Sequence, residues 1–231
     1  MRKLNIKLIG LCTALTLLTV NTCVSAANYI GRSTEESEKR FETFGVINNE
    51  SQTFNSDGTV TRGKMCEIIS RIYGYSKPHG YVPYEETYAD VSNDTENYIW
   101  IVMAKNNGWI NGDENSNFRP NDNITEIEAV KMLLSTAGYD WLANMCGGYP
   151  EGYRAAAKML LLTEETGDIS DVPITKDKLL KILNAYLEIY STGKDDNERV
   201  FIHKPDERLF VTGKMYDGLR LKQKNIADPF N

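Results

Sequence analysis

Two stretches of the chain repeat one pattern without a gap, and this repeat constrains the fold more than any other feature. Residues 54–75, FNSDGTVTRGKMCEIISRIYGY, align with residues 118–139, FRPNDNITEIEAVKMLLSTAGY. Each begins as a loop rich in Gly, Asn, Asp or Pro, which favour tight turns, and continues as an amphipathic helix. Repetition on this scale indicates one supersecondary unit used several times, since each unit is too small to bury its own apolar face.

The start of each repeated helix is marked by a threonine that is predicted to act as its N-cap. Thr61 and Thr125 occupy this position, and Glu128 can complete a capping box with Thr125. Gly138 is the expected stop of the second repeated helix. A weaker third copy, DVPITKDKLLKILNAYLEI, is capped by Thr175. With a shorter polar or mixed helix before each loop, the pattern predicts three helix–loop–helix units, at residues 33–75, 88–139 and 146–189. Residues 139–146 are expected to connect the second unit to the third, and the glycines and proline of residues 147–153 predict a turn.

The predicted fold class is therefore mainly α. The three units can stack linearly or close around a pseudo-threefold axis, and we favour closure because it hides the end faces without capping repeats. Residues 191–231 differ in character. Val200–His203 and Arg208–Met215 resemble strands separated by a turn, which predicts a short C-terminal β-hairpin or a tail.

The first 26 residues have the pattern of a secretory signal peptide. Arg2, Lys3 and Lys7 precede a short apolar run that ends in small residues at 24–27. The run is short for a membrane anchor, so we expect export. The whole chain carries a formal net charge of −6. Its acidity argues against nucleic acid as a partner, because phosphate backbones require a basic surface.

Catalytic and metal-binding patterns do not emerge from the sequence. No GxSxG, HExxH or phosphate-binding loop occurs, so no enzymatic activity, metal or cofactor is expected. Cys66 and Cys146 follow the signal segment. Cys66 lies on an apolar helix face, where a buried free thiol is expected, and a disulfide to Cys146 is the alternative for an exported chain.

The repeat resembles the S-layer homology (SLH) family. The second unit carries YADV, GWING, FRP and ITEIE, the first carries GVINN and VTRGK, and the third carries ITKDK. This resemblance implies a pseudo-threefold helical body that binds secondary cell-wall polysaccharide, often bearing pyruvyl ketals, in grooves between units. It implies non-covalent attachment of an exported protein to the cell wall.

The resemblance also implies which residues contact the polysaccharide. The family has an arginine directly after the cap threonine, and this chain has Arg62, Glu126 and Lys176 in those places. Glu126 is expected to repel an anionic sugar. Further expected contacts are two tryptophans, whose rings can stack on a sugar face, and one arginine, which can pair with a carboxylate: Trp100, Trp109 and Arg119.

Each of these side chains has a structural alternative, such as a solvated helix charge, a loop brace or a core residue. The function has one too. A degenerate module can instead serve as a structural protein of the cell envelope that holds a protein partner, with residues 191–231 as the contact surface.

Overall fold

The computed structural model describes residues 31–47, 53–75, 87–189, 192–194 and 200–202. Within these ranges the protein is mainly helical, as predicted. The elements in chain order are α1 (Thr34–Thr43), α2 (Arg62–Tyr73), α3 (Tyr98–Asn106), α4 (Glu126–Thr136), α5 (Asp140–Met145), α6 (Glu151–Met159), α7 (Lys176–Tyr186), β1 (Thr192–Lys194) and β2 (Val200–Ile202). The predicted signal peptide, residues 1–26, lies outside the described residues.

The predicted N-caps are confirmed. Thr61, Thr125 and Thr175 each precede a helix in extended conformation and accept a hydrogen bond from the backbone N–H three residues later. Glu128 closes the predicted capping box, because its carboxylate accepts the Thr125 N–H at 3.0 Å. Gly138 follows the end of α4 with φ of 82°, a left-handed conformation that glycine adopts without strain.

Helices from different units pack against one another in a closed order. Helix α2 packs against α3, α4 packs against α6, and α7 packs against α1. The second helix of each unit therefore contacts the first helix of the next, and the third unit returns to the first. At that return contact, Asn184 on α7 donates to Ser37 on α1 at 2.8 Å.

Backbone hydrogen bonds repeat this closed order at the start of each capped helix. The first helical N–H of α2, Arg62, donates to Asp122 O at 2.9 Å. The first N–H of α4, at residue 126, donates to Val172 O at 2.9 Å, and that of α7, at residue 176, donates to Gly58 O at 2.8 Å. These N–H groups have no partner inside their own helix, so each unit supplies an acceptor that another unit requires. The threefold symmetry itself stays a prediction.

Three local features differ from the sequence expectations. The segment after Tyr139, read as a connection, forms the short helix α5. Helix α6 begins at Glu151, although residues 147–153 were expected to form a turn. Strand β2 pairs antiparallel with β1, with Gly193 opposite Phe201. The predicted hairpin partner of β2, Arg208–Met215, lies outside the described residues, so that hairpin is not confirmed.

One apolar core joins all three units. Its largest fully buried side chains come from each of them and include Phe41, Met65, Phe118, Leu133 and Tyr186. Both cysteines in the described ranges are free thiols, Cys66 fully buried and Cys146 partly exposed. No helix in the described ranges is long and apolar enough to cross a membrane. Those same ranges hold no cluster of three His, Cys, Asp or Glu residues suited to a metal ion.

Candidate ligand-binding junctions

Three junctions form where the start of a capped helix meets the loop and the capped helix of the next unit. We call them the first junction (Arg62, with the loop at 118–122 and Glu128), the second junction (Glu126, with the loop at 168–172 and Lys178) and the third junction (Lys176, with the loop at 54–58). The same backbone pattern builds all three, so their chemical differences come from the side chains.

Arg62 is the centre of the first junction. Its side chain is only 7% exposed, and Nη1 donates to Glu128 Oε1 at 2.7 Å. Nε donates to Phe118 O at 2.7 Å, and the guanidinium lies 4.7 Å from the centre of the Phe118 ring. The fixed fork of the guanidinium lets one side chain make these contacts together. Arg62 therefore links the first unit to the second.

A cavity of about 180 Å³ opens beside Arg62. Its lining combines the turn after α3, the capped helix α4 and the start of the third unit. The lining residues are Arg62, Ile110, Asn111, Gly112, Asp113, Arg119, Glu128, Lys131, Met132 and Tyr149. Three of these side chains are cationic and two are anionic, so the lining carries a net positive charge within an acidic chain.

Lys131 is the cation of this cavity that has no hydrogen-bond or ion-pair partner among the described residues. It is partly buried on α4 and makes no hydrogen bond or ion pair with another described residue. Burial lowers the pKa of its ammonium group, and the carboxylates of Asp140 and Glu128 oppose that effect from a distance. A desolvated ammonium without an ion-pair partner is unfavourable. An anionic ligand that enters the cavity could form the ion pair that Lys131 lacks.

Tyr149 and Arg119 form the more accessible part of the lining. The Tyr149 side chain is about half exposed, and Arg119 is 49% exposed with two loose ion-pair distances of 3.5 Å, to Asp122 and to Glu128. Arg119 has a φ of 58°, and its N–H donates to Asp90 Oδ2 at 2.7 Å, which fixes the loop that carries it. An aromatic face and a weakly held arginine thus flank Lys131.

The second junction has the same construction with the charges exchanged. Glu126 is buried, and its Oε2 accepts from Lys178 Nζ at 2.8 Å and from the N–H and hydroxyl of Ser170, each at 2.7 Å. Burial raises the pKa of Glu126, but the hydrogen bonds from Lys178 and Ser170 outweigh it, and the net shift is downward. The carboxylate of Glu126 is thus already held by donors within the protein.

The third junction keeps a cation but pairs it internally. Lys176 forms an ion pair with Glu38 of α1, and its ammonium lies 5.4 Å from the centre of the Phe54 ring. Phe54 corresponds in the repeat to Phe118, so Lys176 lies over its ring as Arg62 does in the first junction. A polysaccharide contact by Lys176 stays a prediction.

The two tryptophans lie away from the cavity of the first junction. Trp109 is 5% exposed and packs against Tyr73, with ring centres 4.8 Å apart. Trp100 is 3% exposed and lies beneath the guanidinium of Arg71 at 4.9 Å. Both side chains contribute to the core, and their predicted contact with sugar stays a prediction.

Of the predicted contacts, the structure thus brings together Arg62 and Arg119 at one cavity and places Lys176, Trp100 and Trp109 elsewhere. Sequence reasoning missed Lys131 and Tyr149. A signal for Lys131 was present, since it interrupts the apolar run AVKMLL of α4. Tyr149 belongs to the next unit, and no sequence pattern connected it to this cavity.

Comparisons with known proteins give a family match within the chain and similarity to two proteins of the bacterial surface. The model of the S-layer homology domain matches residues 87–130. A "Surface layer protein" of Brevibacillus choshinensis is 26% identical over 107 residues, which cover 46% of this chain and 10% of that protein. A "Middle cell wall protein" of Brevibacillus brevis (strain 47) is 22% identical over 156 residues, which cover 67% of this chain and 14% of that protein. The matched stretch is thus a small part of each relative.

Proposed function

Because this chain contains an S-layer homology domain, we propose that it attaches to the cell surface by binding an acidic secondary cell-wall polysaccharide in the first junction. Three findings support the proposal: the family match at residues 87–130, the similarity to a surface layer protein and a cell wall protein, and the cationic cavity itself. The role is one of attachment rather than catalysis.

The observation that carries the proposal is the unpaired ammonium of Lys131. In the first junction Arg62 is already held by Glu128 and Phe118 O, so it offers the ligand little unused hydrogen-bonding capacity. Lys131 has all of its donors available within the described structure. Partial burial removes some of the water around the Lys131 ammonium. A carboxylate placed beside it would supply a charge-assisted hydrogen bond instead, which is among the stronger polar contacts.

The size of the cavity favours one acidic substituent rather than a whole chain of sugars. At about 180 Å³ it is smaller than the roughly 300–1,000 Å³ that is typical of drug-sized ligand sites. A pyruvyl ketal, which presents one carboxylate on a compact ring, fits this description. The half-exposed ring of Tyr149 then lies where an apolar sugar face can stack.

A sedimentation assay with purified cell walls tests the proposal. The exported form of the chain should pellet with sacculi that retain their polysaccharide and stay soluble with sacculi stripped by acid. Lys131→Met should bind at least about tenfold more weakly, because a charge-assisted hydrogen bond is worth roughly 1.5–3 kcal/mol. Its fold should be unaffected, since methionine fills similar space and Lys131 makes no hydrogen bond or ion pair with another described residue.

Lys181→Met is the matched control. Lys181 occupies the same place in the third repeat, six residues after its cap threonine, but pairs with Asp177 at 2.8 Å. It should bind cell walls like the unmodified chain. Equal binding to intact and stripped sacculi would contradict the proposal, and so would an unchanged affinity of Lys131→Met.

The second candidate function is a scaffold for a protein partner in the cell envelope. One observation favours it: the segment after the third unit is anchored to the helical body. Thr192 is buried, its N–H donates to Ala137 O at 2.7 Å, and its hydroxyl donates to Gly138 O at 2.7 Å. These two hydrogen bonds fix the place on the helical body where the C-terminal segment begins. This role predicts capture of a partner that is lost when residues 200–231 are deleted, while binding to sacculi is unaffected by polymer removal.

A further inference from the structure

We propose that the second junction is a carboxylate-binding cradle that the chain fills with its own Glu126, and that this internal ligand excludes acidic sugars from that junction. The cradle consists of Lys178 and Ser170. Its existence is independent of the proposed function. The statement about sugars rests on it, because it concerns the ligand proposed for the first junction.

Three donors converge on one oxygen in the cradle. Glu126 Oε2 lies 2.8 Å from Lys178 Nζ, 2.7 Å from Ser170 N and 2.7 Å from Ser170 Oγ. The Glu126 side chain is 6% exposed. One ammonium, one hydroxyl and one backbone N–H directed at a buried oxygen are the donors by which proteins bind free carboxylates.

Comparison with the first junction shows that the cradle arises from an exchange of charges. Arg62 and Glu126 occupy the same place, directly after their cap threonines, and Glu128 and Lys178 occupy the place three residues after the caps. Arg62 Nε donates to Phe118 O at 2.7 Å, and Lys178 Nζ donates to the corresponding Asp168 O at 2.7 Å. In the first junction the cation belongs to the earlier of the two units, and in the second junction it belongs to the later one. In both junctions it donates a hydrogen bond to the same loop carbonyl position.

The exchange has a consequence for ligand choice. In the first junction the anion of the pair belongs to the capping box, because Glu128 Oε2 also accepts the Thr125 N–H, and Lys131 remains available to an outside group. In the second junction the equivalent of Lys131 is Lys181, which pairs with Asp177. An arriving carboxylate would meet the buried charge of Glu126 and no unpaired cation among the described residues of that junction.

Chemical rescue tests the cradle. Glu126→Ala removes one methylene and the carboxylate, the atoms that acetate supplies. The variant should melt below the unmodified chain by up to roughly 6–20 °C, since the partly buried Lys178 ammonium, 17% exposed, loses its carboxylate partner. Sodium acetate should raise that melting temperature along a saturating curve, whereas sodium chloride at equal ionic strength and neutral acetamide should not.

Glu151→Ala is the control variant. Glu151 pairs with Arg154, but its side chain is 75% exposed, so its removal leaves no enclosed site, and acetate should act on it as chloride does. A response of Glu126→Ala to acetate that matches its response to chloride would overturn the cradle. If Glu126→Ala does not fold, Glu126→Ser with formate replaces it, because the serine hydroxyl retains one acceptor and leaves room for the smaller ion.

Equilibrium dialysis with a pyruvylated methyl glycoside tests the exclusion of sugars. Glu126→Ala should bind one more equivalent of this probe than the unmodified chain, and an unchanged stoichiometry would contradict exclusion by Glu126. If the unmodified chain binds none of the probe, the proposed function fails at the first junction. The acetate experiment would still decide whether the cradle exists, so the two failures are distinguishable.

Discussion

Replacing Arg62 by alanine should destabilise the protein more than any other substitution of an ionisable side chain in the first junction. The change removes the hydrogen bond to Phe118 O, the ion pair with Glu128 and the contact with the Phe118 ring. A hydrogen bond from a charged donor contributes about 1.5–3 kcal/mol, and a cation over an aromatic ring about 0.5–2 kcal/mol.

The ion pair adds less than a fully buried one would. Breaking a buried pair costs about 3–5 kcal/mol because the remaining charge loses its partner. Glu128 is 21% exposed, and it still accepts hydrogen bonds from the N–H and hydroxyl of Thr125 after the change. These contributions share atoms and do not add. We therefore expect a total loss of about 2–4 kcal/mol in the free energy of unfolding.

Urea unfolding followed by circular dichroism measures this loss, with Arg119→Ala as the matched control. Arg119 lines the same cavity and also approaches Glu128, but at 3.5 Å and with 49% of its side chain exposed. An exposed pair contributes about 0–1 kcal/mol. If the two variants lose the same stability, or if Arg62→Ala loses under about 1 kcal/mol, then Arg62 does not link the units as described.

Three further predictions concern the caps, the thiols and the second junction. Thr125→Ala should lose about 0.5–2 kcal/mol of stability in urea unfolding, because it breaks the capping box, whereas Thr125→Ser should lose less. In the folded protein an aromatic disulfide reagent should modify the partly exposed Cys146 quickly and the fully buried Cys66 only on unfolding. Burial blocks access to Cys66 and also raises the pKa of its thiol, which disfavours the reactive thiolate. Equal rates of modification at the two cysteines would contradict this. Although burial raises the pKa of Glu126, its hydrogen bonds lower it more, so the pKa in the folded state lies below the ordinary value of 4.5. The stability that Glu126 contributes is therefore complete above pH 4.5 and declines as the pH falls through the pKa of the folded state. The difference in unfolding free energy between the unmodified chain and Glu126→Gln should shrink between pH 6 and pH 3.

The local instructions in the sequence were sufficient to locate the three capped helices. Cap threonines, the capping box and the stop at Gly138 act within a few residues of themselves, so a single repeat reveals them. Helix α5 was not predicted, because the six residues Asp140–Met145 are too few to show a helical period. The start of α6 was missed for a related reason: two glycines and a proline at 147–150 indicated a turn that continues directly into the helix.

The junctions could be predicted only in part, because each is assembled from different units. Arg62 was named from the family resemblance and Arg119 from its ability to pair with a carboxylate, and both line one cavity. Their partner Glu128 was recognised only as part of a cap. Lys131 gains significance through what surrounds it, since a lysine on a helix is ordinary until the structure shows that no described residue pairs with it.

The charged residue directly after a cap threonine can be interpreted only together with its partner position, which lies three residues after the cap threonine of the next unit. Taken alone, Glu126 is a departure from the basic pattern. Taken with Lys178 it forms a complete ion pair, as Arg62 does with Glu128. The third junction is consistent with this interpretation, although no pair forms there. The position after its cap holds Lys176 and the partner position holds Lys64, and two like charges cannot pair. Each instead bonds to an acid outside the pattern, Glu38 and Glu96 respectively. Where the pattern provides opposite charges they pair across the junction, and where it provides like charges acids on neighbouring segments compensate. The charge after the cap is therefore understood only with its ion-pair partner, and a basic residue after the cap does not by itself identify a ligand site.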